Sequence, residues 1–383
     1  VNILALTRRR PTTQHAGRWA QIAPASVFVV LALALLVGAP LLLSSFRLSL
    51  LARFCCYAMV ALGIGLAWGR GGMLTLGQGL FFGLGGYLMA MHLKLADAGP
   101  GQVPDFMKLY GDGTMPRWWE PFRSPVLTLI AIPVVPGLVA LVLGLAVFKR
   151  RVRGAYFTIL SQALAAAFAI FLVGQQTTTG GTNGLNGFRS FFGYSLNDPV
   201  NKATLYYIAA ATLLLMIAGM WFLYRSRYNE LLIAVRDGEE RVRFLGYDPA
   251  NVKVFAYVVA AVLAGIGGAL FVPIAGIISP ADVGVLPSIG FLIGVAIGGR
   301  ATLLGPVLGT IIVAAAQNTL SESFPSFWIY FQGALFIVVV TFLPGGLAQL
   351  AGTLRRHHAS QRASTDLTAP VAIPEAAAQE ATG

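Results

Sequence analysis

The chain has 383 residues, of which 56% are hydrophobic and only 11% charged, with a mean hydropathy of +0.73. Soluble domains carry about 25% charged residues, so an ordinary water-soluble core is excluded. The net charge of +12 does not call for a nucleic-acid partner, because the basic residues fall in alternate segments between apolar runs, as membrane topology demands.

Ten apolar runs follow one another, at 24–46, 50–68, 80–97, 125–148, 155–173, 204–224, 254–278, 288–298, 306–320 and 328–343. Most approach the roughly 20 residues that cross a bilayer. They predict an all-α polytopic membrane protein of about ten transmembrane or half-spanning helices. Arg8, Arg9, Arg10 and Arg18 precede the first run, which is too long for a cleavable signal and lacks a small-residue cleavage site, so it is expected to remain as a span. The eighth and ninth runs are short and interrupted by Gly298, Gly299, Gly305 and Pro306, the pattern of half-helices or a re-entrant pair. Residues 1–23 and 351–383 are expected as cytoplasmic termini around a membrane domain at 24–350. The tail is rich in Ala, Thr, Pro and Glu and reads as disordered.

Basic residues at the N-terminus, Arg70, 149–153, 225–253, Arg300, Arg355, Arg356 and Arg362 place both termini inside. Cys55 and Cys56 are adjacent, which excludes a disulfide framework. The segment 99–123 carries Trp118 and Trp119, read as an interfacial anchor. The segment 175–188, Q-Q-T-T-T-G-G-T-N-G-L-N-G-F, reads as ordered tight turns. Glycines at 83, 85 and 86 and at 265, 267 and 268 are expected to allow close helix packing. A faint likeness links the second-to-third and seventh-to-eighth regions, in opposite orientation.

The runs hold almost no ionisable residue. Arg53, His92 and Lys94 lie near outer ends, and no carboxylate falls at the middle of any run. That counts against proton coupling, which marks its path with intramembrane carboxylates or histidines; sodium coupling is less excluded. Thr75, Gln78, Thr158, Ser161, Gln162, Gln317 and Asn318 supply neutral polar groups. They serve either as interhelical hydrogen bonds or as a pathway for a small uncharged solute. No phosphate loop, paired metal-ligand histidines or nucleophile elbow occurs. The chain therefore reads as a non-enzyme without a cofactor, and any ATPase that drives it is another polypeptide.

The segment 225–253 holds eleven charged residues between two apolar runs. Leu231, Ala234, Val235, Val242 and Leu245 form one helical stripe. Arg236 with Glu240, and Glu239 with Arg243, are i,i+4 pairs. Gly238 is expected to divide the helix, Gly246 to stop it, and Asp248-Pro249 to cap the next span. Such a helix lies on the bilayer surface or inserts into a partner subunit.

Here the chain resembles a known family. D-G-E-E-R-V-R-F-L-G-Y-D-P, with G-M-L-T-L-G-Q-G-L-F-F-G-L-G-G-Y at 72–87, T-G-G-T-N-G-L at 179–185 and V-A-I-G-G-R-A-T-L-L-G-P-V-L-G at 295–309, is similar to the LivM-like permeases of branched-chain-amino-acid-type ABC importers. The resemblance covers about 53–350. L-S-Q-A-L-A at 160–165, V-P-D-F-M at 103–107, R-F-L-G-Y-D-P at 243–249 and F-L-P-G-G-L at 342–347 resemble the urea-permease branch of that family. Gly290 departs from the family pattern, which has an acidic residue there. The resemblance implies an ABC importer permease fold in a bacterial inner membrane. It makes Arg236, Glu239, Glu240, Arg241 and Gly246 the contact to the ATPase. The implied partners are a second permease subunit, two ATPase subunits and an extracytoplasmic solute-binding protein. Urea or a short amide is the implied solute, with branched-chain amino acids as the alternative. On the residues alone, a passive urea or amide channel and a sodium-coupled carrier stay open.

Overall fold

The computed structural model describes residues 28–152, 154–323, 328–342 and 346. The N-terminal segment, the basic residues before the first run and the expected disordered tail lie outside the described residues, as does Arg153.

Each of the ten apolar runs is matched by a helix. We number them with the short connecting helices: α1 Phe28–Leu42, α2 Ser45–Arg70, α3 Gln78–Ala98, α4 Asp105–Tyr110, α5 Pro125–Phe148, α6 Ala155–Gly174, α7 Gln176–Thr179, α8 Pro199–Arg225, α9 Arg227–Phe244, α10 Pro249–Ala275, α11 Pro280–Val283, α12 Val285–Gly298, α13 Gly305–Ser323 and α14 Trp328–Phe342. Among the described residues six of these are long and apolar enough to cross a membrane: α2, α3, α5, α6, α8 and α10. The protein is thus a multi-pass membrane protein. The expected ten spans correspond to ten helices of unequal reach. The first run does not continue to residue 46; it breaks at Leu43, and α2 starts at Ser45.

The core is α10 laid across α2, α3 and α5. Small residues make it possible. A Cβ on Gly63 would stand 2.8 Å from the Ala260 carbonyl oxygen, and a Cβ on Gly267 would stand 2.8 Å from that of Cys56. Gly85 and Gly268 approach the backbones of Gly265 and Phe82 closely enough that any side chain would overlap them. Without a hydrophobic drive between helices in lipid, such close packing supplies the attraction. The expectation for these glycines holds.

The two contacts between α2 and α10 exchange when the helices are swapped: Gly63 takes the place of Gly267, and Cys56 that of Ala260. The helices therefore cross antiparallel about a local two-fold. Each then ends at a glycine in the left-handed region, Gly72 at φ 67° and Gly276 at φ 76°. Gly72 is followed by non-helical chain before α3, and Gly276 by two strand residues and the single turn of α11 before α12. The antiparallel crossing gives these two regions the opposite orientation that the faint likeness in the sequence has, an orientation common in transporters.

The two connections enter the bundle from opposite ends. Residues 71–77 run along α6, where Thr158 Oγ1 donates to the Leu74 carbonyl at 2.9 Å and the Leu76 amide donates to Ser161 Oγ at 3.2 Å. From the other end, Ile278 pairs with Leu185 in a two-residue ladder, β1 (Leu185–Asn186) against β2 (Ile277–Ile278). Val283 then packs on Gly83 of α3. The halves meet where the Gly79 amide donates to Ser288 Oγ at 3.0 Å. Non-helical backbone is tolerated at this depth because protein surrounds it and satisfies its polar groups.

α12 has 14 residues, about 21 Å at 1.5 Å per residue, and is too short to cross alone. α13 runs antiparallel to it in close contact, with Gly298 against Gly305 and Gly309, and Gly294 against Thr310. Pro306 sits on Gly65 near the end of α2, and Asn318 reaches the start of α2 beside Ser45 and Ser49. The eighth run is therefore a half-length helix. The ninth extends along the whole of α2.

Two smaller expectations changed. Trp118 is half exposed, but Trp119 is fully buried against Phe106, so only one of the pair suits an interfacial position. His92 is buried, with Nδ1 2.8 Å from the Phe122 carbonyl, which ties α3 to the loop before α5.

Candidate functional site

Two regions gather the polar groups, one at the end of the bundle that carries Arg70, Arg225 and Arg300, the other at mid-depth. At the basic end each of these arginines lies over an aromatic ring: Arg70 over Tyr224, Arg225 over Trp221 and Arg300 over Trp68. α9 crosses this end. Its φ and ψ leave helical values at Gly238 (−168° and 76°), where two helical pieces join. It stops before Gly246, whose φ is +87°. Asp248 accepts from the Ala250 amide at 3.0 Å and Pro249 opens α10. The division, the stop and the cap all stand where the sequence placed them.

The buried face of α9 differs from the expected stripe. Leu232, Val235 and Val242 are buried with Asn229, whereas Ala234 and Leu245 are exposed. The first piece buries Asn229, Leu232 and Val235, spaced three residues apart, and after the kink at Gly238 the second piece keeps Val242 buried but not Leu245. An apolar tip is left in the open: Phe244 is 90% exposed, Leu245 76% and Tyr247 56%.

Arg236 pairs with Asp237 at 2.8 Å rather than with Glu240. Its Nη1 donates to the Gly69 carbonyl at 2.9 Å. That carbonyl belongs to the last turn of α2, where orphan acceptors and the helix dipole favour a cation. The aliphatic part of Arg236 packs on Gly72, where the left-handed backbone turns into the 71–77 stretch. Glu239 accepts from Lys253 at 2.7 Å with both side chains mostly buried, and lies 3.5 Å from Arg243. Glu240 lies 3.5 Å from Arg243, and Arg241 is exposed. Lys149 at the end of α5 meets Asp248 at 2.6 Å and holds its carboxyl below the usual carboxylate range, through that hydrogen bond first. These contacts fix α9 to α2 and α10, and Lys149 fixes the start of α10 to α5. A cavity of about 280 Å³ lies under the kink, lined by Gly72, Met73, Phe157, Arg236, Glu239 and Lys253 among others.

At mid-depth a cavity of about 300 Å³ opens between α2, α11, α12, α13 and α14. Tyr57, halfway along α2, forms its wall with Phe82 and Phe291; the ring centroids lie 5.4 to 6.1 Å apart. Asp282, Thr310, Gln317 and Gln332 supply the polar lining. Asp282 Oδ2 accepts from the Ser279 amide at 2.9 Å and from Ser279 Oγ at 2.8 Å, a capping box for α11. Thr310 is 3% exposed and its hydroxyl has no partner among the described residues.

The seven neutral residues singled out in the sequence do not form one path. Gln317 lines the mid-depth cavity. Asn318 turns to a separate cavity of about 480 Å³ with Ser45, Ser49, Arg53 and Lys202. Thr158 and Ser161 hold the 71–77 stretch, the interhelical role. Gln162 is half-buried on α6. Thr75 Oγ1 and both amide atoms of Gln78 are buried without a partner among the described residues, a cost of about 1–3 kcal/mol for each group.

Asp282 escapes a reading of the apolar runs, because none of them contains it. The run boundaries put it in a connection, yet 276–284 dips into the bundle and carries it to the level of Tyr57. The signal was present as Ser279-Pro280-Ala281-Asp282, a helix-start pattern with its acid at the third position. Among the described residues no group of three His, Cys, Asp or Glu could hold a metal ion.

A family profile described as the permease component of the branched-chain amino acid transport system matches residues 46–340. The chain belongs to that family. It is also 25% identical over 346 residues to the high-affinity branched-chain amino acid transport system permease protein LivM of Escherichia coli (strain K12), covering 84% of this chain and 74% of the relative. The LivM protein of Salmonella typhimurium is 25% identical over 222 residues, 51% of each chain. No solved structure matches. The family match spans the glycine crossing, the mid-depth cavity and α9, so the resemblance seen in the sequence holds at family level.

Proposed function

We propose that this chain is one transmembrane half of an ATP-binding-cassette importer in a bacterial cytoplasmic membrane, with α9 at the cytoplasmic face. A separate pair of ATPase subunits drives it, a second permease subunit completes the pore, and an extracytoplasmic binding protein delivers the solute. The observation that carries this reading is α9 itself. It offers an exposed apolar tip at Phe244, Leu245 and Tyr247, while Arg236 ties it to the end of α2. A surface helix that merely lay on lipid would present a continuous apolar face; here that face is spent on the protein.

Motion of the tip would reach Gly69 and Gly72 through Arg236, then the 71–77 stretch, then the start of α3 beside Ser288. That line ends at the mid-depth cavity, so alternating access follows from rocking of one half against the other. Urea or a short amide is the preferred solute. Support comes from the urea-branch motifs and from the amide and hydroxyl groups of Gln317, Gln332 and Thr310 around the cavity. A branched-chain amino acid is the second reading, favoured by the names of the relatives and by Asp282, whose carboxylate can face an ammonium group.

The test is Glu239→Lys and Gly246→Arg in the assembled transporter. The first sets a like charge between Lys253 and Arg243, and the second adds a long side chain at a left-handed turn next to the tip. Both are expected to abolish ATP-dependent uptake while the protein still inserts. Normal uptake with normal ATPase association would refute the assignment of α9.

A further inference from the structure

Asp282 lines the mid-depth cavity, and among the described residues only one of its oxygens is hydrogen-bonded. Oδ2 closes the capping box with Ser279, and Oδ1 takes no part in that cap. An ionised carboxylate only accepts hydrogen bonds. A ligand beside it must therefore bring N–H or O–H donors, and one that brings only acceptors meets repulsion. The rest of the lining complements this. Gln317 and Gln332 each offer an N–H pair for a carbonyl oxygen, and the Thr310 hydroxyl has no partner among the described residues. Tyr57, Phe82 and Phe291 supply ring faces and edges, a surface on which a flat polar molecule can lie.

We propose that Asp282 is the specificity-determining acceptor of a solute site at this cavity, and that the site selects small planar molecules by their N–H donors. The chemical class is the primary amide, with a carbonyl oxygen toward the glutamine amides and an NH₂ group toward Asp282 Oδ1. This assignment rests on the importer reading and narrows its solute. An ammonium group is the other source of the same N–H chemistry.

The experiment measures ATP-dependent urea uptake by the assembled transporter in liposomes, with three competitors. Acetamide and acetone are nearly the same size and both planar, but only acetamide carries N–H donors. Acetamide is expected to compete and acetone to have no effect. L-leucine tests the ammonium source, and competition by it instead of acetamide would overturn the amide assignment. Asp282→Asn is expected to raise the KM for urea at least tenfold. Ser279→Ala, which removes the cap partner but keeps the carboxylate, should leave KM within about twofold.

An unchanged KM in Asp282→Asn, or equal competition by acetone and acetamide, would overturn the proposal while importer function stands. A KM raised equally by Ser279→Ala would reduce Asp282 to a helix cap and also overturn it. If Asp282→Asn fails to fold, the acetamide and acetone comparison in the unaltered protein decides. Absence of ATP-dependent uptake of every probe by the unaltered transporter would instead refute the importer reading, and this site with it.

Discussion

Arg236 carries the most specific mechanical claim of any single residue. Its hydrogen bond to the Gly69 carbonyl joins α9 to α2, and its packing on Gly72 places it at the left-handed turn where helix gives way to the 71–77 stretch. Arg236→Ala should cut uptake at least tenfold while ATP hydrolysis by the partners continues. The ratio of transport to hydrolysis is the readout, and an unchanged ratio would remove Arg236 from the transmission line. Lys149 and Asp248 make a milder prediction. Both are about half exposed, so the pair itself contributes at most about 1 kcal/mol. Because the folded protein lowers the Asp248 pKa, its contribution is present above the usual carboxylate range and is lost as pH falls through the lowered value. Thermal unfolding of Asp248→Asn should therefore differ from the unaltered protein at neutral pH and converge with it in strong acid.

Among the elements, the crossing of α2 and α10 decides whether the fold forms. Gly63→Ala and Gly267→Ala introduce the same clash at two sites exchanged by the local two-fold. Each should destabilise the protein by about 1–3 kcal/mol, the usual cost of overpacking, and by similar amounts. Thermal stability in detergent checks this, and a large inequality would argue against the symmetry. The elements were also the most legible feature of the sequence. Apolar length gave the helices, and Gly238, Gly246 and Asp248-Pro249 gave the shape of α9, because each signal is local. What the sequence hid is non-local. Nothing near Asp282 says that 276–284 dips into the bundle. The burial of Leu232 with Asn229, in place of Leu231, depends on which neighbours the first piece of α9 meets, and no local periodicity records that. Gln317 and Asn318 are neighbours in the chain but face different cavities, since adjacent residues on a helix point about 100° apart.

For the whole molecule, the antiparallel crossing, the mid-depth cavity and α9 at the basic end together argue for an importer half and not a self-sufficient pore. A channel needs no exposed apolar tip on a helix at its basic end, and a secondary carrier needs no such helix tied to the end of a span. The measurement that separates these is flux of radiolabelled urea in liposomes, with the chain alone compared with the chain assembled with its sister permease, ATPases and binding protein. The account predicts a silent chain and, on assembly, uptake that requires ATP and runs against a gradient. Downhill urea flux through the chain alone, unaffected by ATP, would contradict it.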